Sequence, residues 1–317
     1  MISIVIPLFN KETTIKNTIE SVLSQSFNNF ELIIIDDGST DDSVNTISNN
    51  FKDQRIKIIS QKNQGVSVAR NVGVQNAAYE YIAFLDADDL WSPEYLEYMV
   101  KAHYKYPEAG MYCCAGYVKN ADGSISNRTT DKISEDISII HFFNNPHVFL
   151  HTSSTIVKKD VFQQVGGFTK GMMRNEDFAL FFSVALITKV CYCKLPLTTY
   201  VGGVENQATS SFSLTSLQSV VDRFNIVNNI WINSNYANKD YLVFTKYEIR
   251  HLVLSNIRSY KPEFTNYFLN NLSKELITKF NKLEVKIYKT KQLNLLSKFW
   301  ILYTKLIWRK KNYPRVN

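Results

Sequence analysis

Through residue 85 the chain alternates short β-branched apolar runs with stretches whose apolar positions recur every three or four residues. The runs cover residues 2–6, 30–35, 55–60 and 81–85, and the periodic stretches between them cover 12–23, 42–51 and 66–77. The runs predict strands and the periodic stretches amphipathic helices, so strand and helix follow one another in turn. The first two runs are almost wholly apolar, the pattern of parallel strands covered by helices on both faces. These features predict an α/β fold with a doubly wound, mostly parallel sheet.

From Ala109 the pattern shifts to successive strands, with a hairpin expected around Asn120-Ala121-Asp122-Gly123, whose Asp-Gly step suits a tight turn. A loop-rich stretch runs to His151. A strand over 153–157, a helix over 159–165, a break at Gly166-Gly167, a helix opening near Asn175 and a strand over 189–193 follow. Residues 214–317 hold no glycine and only Pro262 and Pro314, with apolar spacings of three and four, which predicts several helices. The chain therefore divides into an α/β domain over 1–213 and a helical region over 214–317.

With 45% hydrophobic and 13% aromatic residues, 317 positions are enough to bury a large core, which excludes a disordered chain. The cysteines stand as Cys113-Cys114 and Cys191-Tyr192-Cys193, without the two-residue gap of a zinc or redox pair, so they read as buried strand thiols. No apolar stretch reaches the roughly 18 residues of a membrane-spanning helix, and the first residues lack the pattern of a secretory signal. The expected location is cytoplasmic. Charge sharpens this, because nine Lys or Arg and no acid follow Glu284, so a net +7 leaves the first 284 residues at −2. The basic character belongs to the tail, not to the α/β domain.

In open parallel sheets ligands bind beyond the carboxyl ends of the strands. Those positions here are Asn10, Asp36 to Asp41, Gln61 to Gly65, and Asp86-Ala87-Asp88-Asp89. Neither a glycine-rich dinucleotide turn nor a phosphate-binding Gly-x-x-x-x-Gly-Lys loop occurs, so a diphosphate would need a cation held by carboxylates. Asp86, Asp88 and Asp89 repel one another unless a cation or solvent relieves them. The competing reading is a turn before a helix, with Ser92 as cap and Pro93 in the first turn, which leaves three acids in four residues unexplained. Asp37 is either a turn former or an acceptor for a base imide such as the N3 hydrogen of uracil or thymine. Arg70 and Asn71 lie on the third helix, where arginine is either solvated or a diphosphate or base contact. Glu176 and Asp177 open a helix, where acids suit the dipole with or without a catalytic role. His151, ahead of Thr152-Ser153-Ser154, either touches sugar hydroxyls or packs.

Taken in order, Ile4-Val5-Ile6-Pro7-Leu8-Phe9-Asn10, Ile35-Asp36-Asp37-Gly38-Ser39-Thr40-Asp41, Gly65 with Ala69-Arg70-Asn71, Phe84-Leu85-Asp86-Ala87-Asp88-Asp89, Gly166-Gly167-Phe168 and Asn175-Glu176-Asp177 resemble the family-2 glycosyltransferases of the GT-A fold. The resemblance covers roughly residues 1–211. It implies sugar transfer from a nucleotide-sugar donor, mostly with inversion, in bacterial capsule, exopolysaccharide or lipopolysaccharide assembly. Pro7 and Phe9 would line the nucleotide pocket and Asp37 would recognise the base, with Arg70 close by. Asp86 would contact the ribose, Ala87 would lie beside it, and Asp88 would hold Mn2+ or Mg2+. Asp177 would be the general base, with Glu176 and His151 toward the donor or acceptor sugar. Family members often carry a histidine before a segment like Glu205-Asn206-Gln207-Ala208-Thr209-Ser210, a metal or diphosphate contact, where this chain has Val204.

A processive synthase is not expected, since membrane spans and a Gln-x-x-Arg-Trp motif are absent. An inert nucleotide-sugar binding module is the alternative, which would keep Asp37 and Asp86 to Asp89 and lack a working base at Asp177. Phe299-Trp300-Ile301-Leu302-Tyr303 and Leu306-Ile307-Trp308, interleaved with Lys298, Lys305, Arg309, Lys310 and Lys311, suit either an anionic membrane surface or packing on the domain. A membrane contact would suit a lipid-linked acceptor and the inner face of the plasma membrane. Nucleic acid is not an expected partner, because the acidic clusters stand apart from the basic tail and no recognition motif occurs.

Overall fold

The computed structural model describes residues 1–145, 148–203, 214–234, 238–258 and 262–289, together with 299, 302, 303 and 306. One sheet organises the molecule. Its strands are β1 (Ile2–Leu8), β2 (Phe30–Asp36), β3 (Ile56–Ser60), β4 (Tyr81–Phe84), β5 (Leu90–Trp91), β6 (Ala109–Lys119), β7 (Ile125–Asn127), β8 (Ile137–Ile140), β9 (Thr155–Lys158) and β10 (Lys189–Val201). Along the sheet they run β3-β2-β1-β4-β9-β6-β10-β5, with β7 added beside β6 and β8 beside β10. The strands β1 to β4, β6 and β10 all point one way, and β9 runs against its neighbours β4 and β6. The carboxyl ends of the parallel strands thus share one edge, which is where the polar residues of the sequence cluster.

The helices α1 (Ile15–Leu23), α2 (Ser43–Asn50), α3 (Val66–Asn76), α4 (Tyr95–Lys105), α5 (Lys159–Gln164) and α6 (Glu176–Ile187) connect or cover the strands. Alternation along β1 sends Ile2, Ile4, Ile6 and Leu8 into one apolar core with Ile15, Ile19 and Leu96, and Val5 into the other with Ala69, Phe84, Phe168 and Phe181. A period of two on a strand buried on both faces produces this division. Helix α3 lies so close to β1 that a Cβ on Gly73 would stand 2.2 Å from Val5 Cγ1. Only glycine allows that approach.

Helices α7 (Leu214–Asn233), α8 (Lys239–Arg258), α9 (Pro262–Asn271), α10 (Lys274–Thr278) and α11 (Lys282–Lys289) bear out the helical C-terminal region. They share a core of Leu217, Val221, Phe224, Tyr247, Ile249, Phe268 and Leu276. Phe244 and Tyr241 of α8 meet Phe143, and Phe244 meets Phe182 of α6, so the region packs on the sheet domain through edge-on and tilted aromatic contacts. The proposed boundary near 213 lies outside the described residues. No described helix is long and apolar enough to cross a membrane.

The expected hairpin forms between β6 and β7, closed by Gly123 at φ +83°. Several expectations shift. Ser92 does not cap α4: its hydroxyl is buried without a partner, and the helix opens at Tyr95. Residues 152–154 form a 3-10 turn ahead of β9, and the strand expected over 189–193 continues to Val201 with irregular register around Pro196. The two-residue β5, too short to leave a periodic signal, joins β10 antiparallel just after the acidic cluster. All four cysteines are buried free thiols.

Candidate active site

The loop after β1 is stapled to the loop after β2. Asn10 takes the left-handed conformation at φ +51°, its amide donates to Ser39 Oγ, and its Oδ1 accepts from Thr40 N at 2.8 Å. Lys11 N donates to Ser43 Oγ at 2.8 Å, Glu12 N to Asp41 Oδ2, and Asp42 N to Glu12 Oε2. Reciprocal bonds of this kind satisfy the backbone groups that strand ends leave unpaired and hold the loop still. Pro7 sits in β1 opposite Ile35, and Phe9, just beyond the strand, is 40% exposed at the mouth.

Asp37 is buried beneath this loop. Its Oδ1 accepts from Gln61 Nε2 at 2.7 Å and Gln64 N at 2.9 Å, and its Oδ2 accepts from Gly65 N at 2.7 Å. Gly65 stands at φ +90° and ψ 160°, a region essentially reserved to glycine, as α3 begins. The carboxylate thereby joins β2 to the entry of α3. Gln61 and Gln64 belong to the polar stretch expected after the third strand, and the structure gives them this role.

One turn further along α3, Arg70 is only 3% exposed. Its Nη2 donates to Asp86 Oδ1 at 2.7 Å, its Nη1 donates to Glu176 Oε1 at 2.9 Å, and its guanidinium lies over the Phe168 ring at 5.0 Å. Burial works against the charge, and the two carboxylates outweigh it, so Arg70 stays cationic. Asn71 completes the support, donating from Nδ2 to Phe168 O at 2.8 Å and accepting from Phe168 N at 3.0 Å. Arg70 is therefore neither solvated nor turned out toward a phosphate. It binds the acid of β4's end to the acid that opens α6.

Asp177 follows Glu176 in the first turn of α6, after Asn175 at φ +62°. Asn10 and Asn175 are the two non-glycine residues of positive φ among the described residues, and they stand in the two loops that flank the acids. Asparagine tolerates that conformation better than most residues, and such strain is often kept at functional sites. Asp177 Oδ1 accepts from Phe178 N at 2.7 Å. Burial and the neighbouring Glu176 push its carboxyl up to about 7, against the opposing pull of the Phe178 amide and Arg70. A carboxyl that titrates near neutral pH is suited to general-base work.

The three acids of the 86–89 cluster have different surroundings. Asp86 is the Arg70 partner, with its amide 3.1 Å from Ser153 Oγ. Thr14 Oγ1 of the loop before α1 donates to Ala87 O at 2.9 Å, fixing the turn. Asp88 is held by Lys11 Nζ at 2.8 Å from its Oδ2. Burial first, then Asp89 and Asp86, raise the Asp88 carboxyl above its ordinary value, and Lys11 opposes them. Asp89 is fully buried, accepting from Ser153 Oγ at 2.6 Å and from Val201 N at 3.0 Å. His151 is enclosed with it: Nδ1 is 3.5 Å from Asp89 Oδ2, Nε2 is 3.0 Å from Thr198 Oγ1, and Phe149 and Tyr200 flank the ring. Of its two readings, this geometry is that of a packed ring.

The chain has relatives among known proteins. The family model described as glycosyl transferase family 2 matches residues 3–166. An uncharacterised glycosyltransferase of Nostoc sp. is 30% identical over 270 residues, covering 83% of this chain and 82% of that protein. The chain belongs to glycosyl transferase family 2. An uncharacterised glycosyltransferase of Rickettsia felis is 47% identical over 100 residues, 32% of this chain and 17% of that protein's length. The stretch shared with such relatives is thus a small part of their length. Among solved structures, S. aureus TarS residues 1–349 in complex with UDP-GlcNAc superposes with a TM-score of 0.74 at 15% identity, covering 99% of this chain and 93% of that one. The fold is the GT-A fold, and the likeness extends through the C-terminal helices.

Within this family-2 chain, the structure ties Asp86, Arg70 and Glu176 into one connected set, with Asp177 next to Glu176 along α6, and joins Asp88 to Lys11. Among the described residues no three His, Cys, Asp or Glu side chains converge on one point. All three acids of the cluster have partners, Asp86 in Arg70, Asp89 in Ser153 and the Val201 amide, and Asp88 in Lys11 at its Oδ2. One carboxylate fits a cation that draws its other oxygen ligands from donor phosphates and water. Val204 and residues 205–210 lie outside the described residues. Lys11, Ser153 and Asn71 hold the site's acids or their supports, roles assigned to none of them from sequence: Ser153 stood in a segment expected to touch sugar hydroxyls, and Lys11 was not singled out. Lys11 had a legible signal, as a lone cation directly after the polar end of β1 and opposite an acidic cluster.

Proposed function

We propose that the chain is a metal-dependent, inverting glycosyltransferase that moves one sugar from a UDP-sugar to a saccharide or lipid-linked saccharide in surface polysaccharide synthesis. The observation that carries the reading is Asp177, a carboxyl raised toward neutrality at the mouth of a GT-A sheet beside the bound pair of Asp86 and Arg70. Family membership and the UDP-GlcNAc held by TarS, a likeness of fold, support a uridine donor, of hexosyl or N-acetylhexosaminyl type. Phe9 and Pro7 would receive the base, Asp37 would accept from its imide, and Asp86 would meet the ribose beside Ala87. Glu176 orients Arg70 next to the sugar site.

In this mechanism the acceptor hydroxyl attacks the anomeric carbon from the face opposite the diphosphate. The new carbon–oxygen bond forms as the bond to the diphosphate breaks, and Asp177 takes the hydroxyl proton. Asp88 would hold Mn2+ or Mg2+, whose chemistry would be to stabilise charge on the departing diphosphate. Arg70 keeps Glu176 and Asp86 from forcing a proton onto Asp177. The raised Asp177 carboxyl favours this reading over an inert nucleotide-sugar binding module, which would lack a base there.

A screen of nucleotide sugars for metal-dependent hydrolysis and transfer tests the reading with wild type, Asp88→Asn and Asp177→Asn. Asp177→Asn should bind donor normally and lose transfer by about 10²- to 10⁴-fold, the usual contribution of a general base. Full-rate transfer by that variant would remove the base assignment, and no metal-dependent donor binding by wild type would remove the enzyme reading. For location we infer a peripheral seat on the inner face of the plasma membrane. Phe299, Leu302, Tyr303 and Leu306 are helical, about half exposed or more, and spaced as one helix face, in a segment rich in cations. Flotation with anionic liposomes that survives deletion of residues 285–317 would overturn this.

A further inference from the structure

Lys11 has the setting of a built-in cation. Its amide is fixed to Ser43 Oγ, its neighbours Asn10 and Glu12 are tied to the loop after β2, and its side chain is 13% exposed. The ammonium rests on Asp88 Oδ2 at 2.8 Å. The other two acids of the cluster are engaged elsewhere, Asp86 by Arg70 and Asp89 by Ser153 and Val201. Lys11 is thus the cation that the fold supplies to Asp88, the carboxylate to which the proposed function gives the divalent ion.

A divalent ion bound to Asp88 needs a lone pair of the same carboxylate, at about 2.0–2.6 Å from the oxygen. An ammonium and a divalent cation crowded on one carboxylate repel each other, unless phosphate oxygens come between them. We propose that Lys11 is a resident counter-ion of Asp88, which a divalent cation must displace in the nucleotide-free protein and which turns to the donor's phosphates once nucleotide and cation arrive together. The inference rests on the reading of Asp88 as the cation's carboxylate. It makes the ammonium an antagonist of cation binding before the nucleotide is bound and a supporter of it afterwards, so the cation and the nucleotide enter as a unit.

The sign reversal is measurable without activity. Mn2+ binding is followed by the electron paramagnetic resonance signal of free Mn2+, for wild type, Lys11→Gln, Lys11→Met, Lys11→Arg and Asp88→Asn, with and without UDP. Without UDP, Lys11→Gln and Lys11→Met should bind Mn2+ about tenfold more tightly than wild type, and Lys11→Arg should match wild type. With UDP, the two neutral variants should bind Mn2+ more weakly than wild type. The proposal is overturned if variants that melt like wild type bind Mn2+ no more tightly without UDP. It is equally overturned if they keep an advantage with UDP. If wild type with UDP holds no more Mn2+ than Asp88→Asn does, the cation reading of Asp88 itself falls, an outcome distinct from both.

Discussion

Replacing Arg70 with methionine removes the group that joins two elements of the site while preserving much of the side chain's volume. In the native protein Arg70 makes charged hydrogen bonds of 2.7 Å to Asp86 and 2.9 Å to Glu176 and lies over Phe168. Removing one partner of a buried ion pair costs about 3–5 kcal/mol, because the other is left uncompensated. Asp86 and Glu176 are 30% and 12% exposed, so water relieves part of that penalty and about 3 kcal/mol is expected. For a chain of this length that corresponds to a fall in Tm of roughly 4–5 °C. Arg70→Lys should recover less than half, since a single ammonium cannot present two forked donors to two carboxylates.

Circular dichroism melts and urea unfolding at pH 8 measure the loss. Adding Asp86→Asn and Glu176→Gln to Arg70→Met should restore at least 1 kcal/mol of it, because neutral groups no longer need a counter-charge. The same variant has a functional consequence, since Arg70 is one of the influences that hold the Asp177 carboxyl down. Without it, the acidic limb of the kcat/KM profile should move to higher pH. A loss below about 1 kcal/mol, with no restoration in the triple variant and no displacement of the limb, would refute the view that Arg70 holds the acids together.

With Asp177 pushed up to about 7, wild-type kcat/KM should fall tenfold per pH unit below that value and flatten above it, and a profile flat down to pH 5 would remove Asp177 as the base. The linked effect on stability has a definite sign. The folded-state value lies above the unfolded one of 3.8, so the group's contribution is most favourable below about pH 4 and is lost as pH rises through about 7. The loss is at most about 4 kcal/mol, so Asp177→Asn should raise Tm at pH 8 relative to wild type and do so less at pH 5. Gly73→Ala should destabilise by about 1 kcal/mol or more despite alanine's better helix propensity, because the new methyl meets Val5 at 2.2 Å. Val5→Ala should suppress that cost in the double variant, and urea unfolding of the four proteins checks it.

Periodicity alone made the first half of the sheet legible. Strands buried on both faces leave continuous apolar runs, and α1, α2 and α3 leave three- and four-residue spacings between them, so β1 to β4 and their helices follow from local pattern. The position of Asn10 after β1 and of the acids after β2 and β4 followed too, because ligand sites in such sheets lie at the carboxyl ends. The helical nature of residues 214–289 was legible for the same reason. The strand order beyond β4 was not. β9 inserts antiparallel between β4 and β6, β5 is two residues long, and β10 runs on through Pro196, features decided by pairing partners distant in the chain.

The acids themselves show where sequence stops. Asp86, Asp88 and Asp89 are chemically equivalent in the sequence, and their spacing marks a cluster without dividing its work. Folding divides it, by bringing Arg70 to Asp86, Lys11 to Asp88, and Ser153 with the Val201 amide to Asp89. Asp177 differs from an ordinary acid at the start of a helix because tertiary packing buries it beside Glu176. The sequence determined which residue types stand at the strand ends, since that depends only on neighbours along the chain. The tertiary structure decided which of them carry a charge, a proton or a counter-ion, because those properties depend on partners as distant as the 106 positions between Arg70 and Glu176.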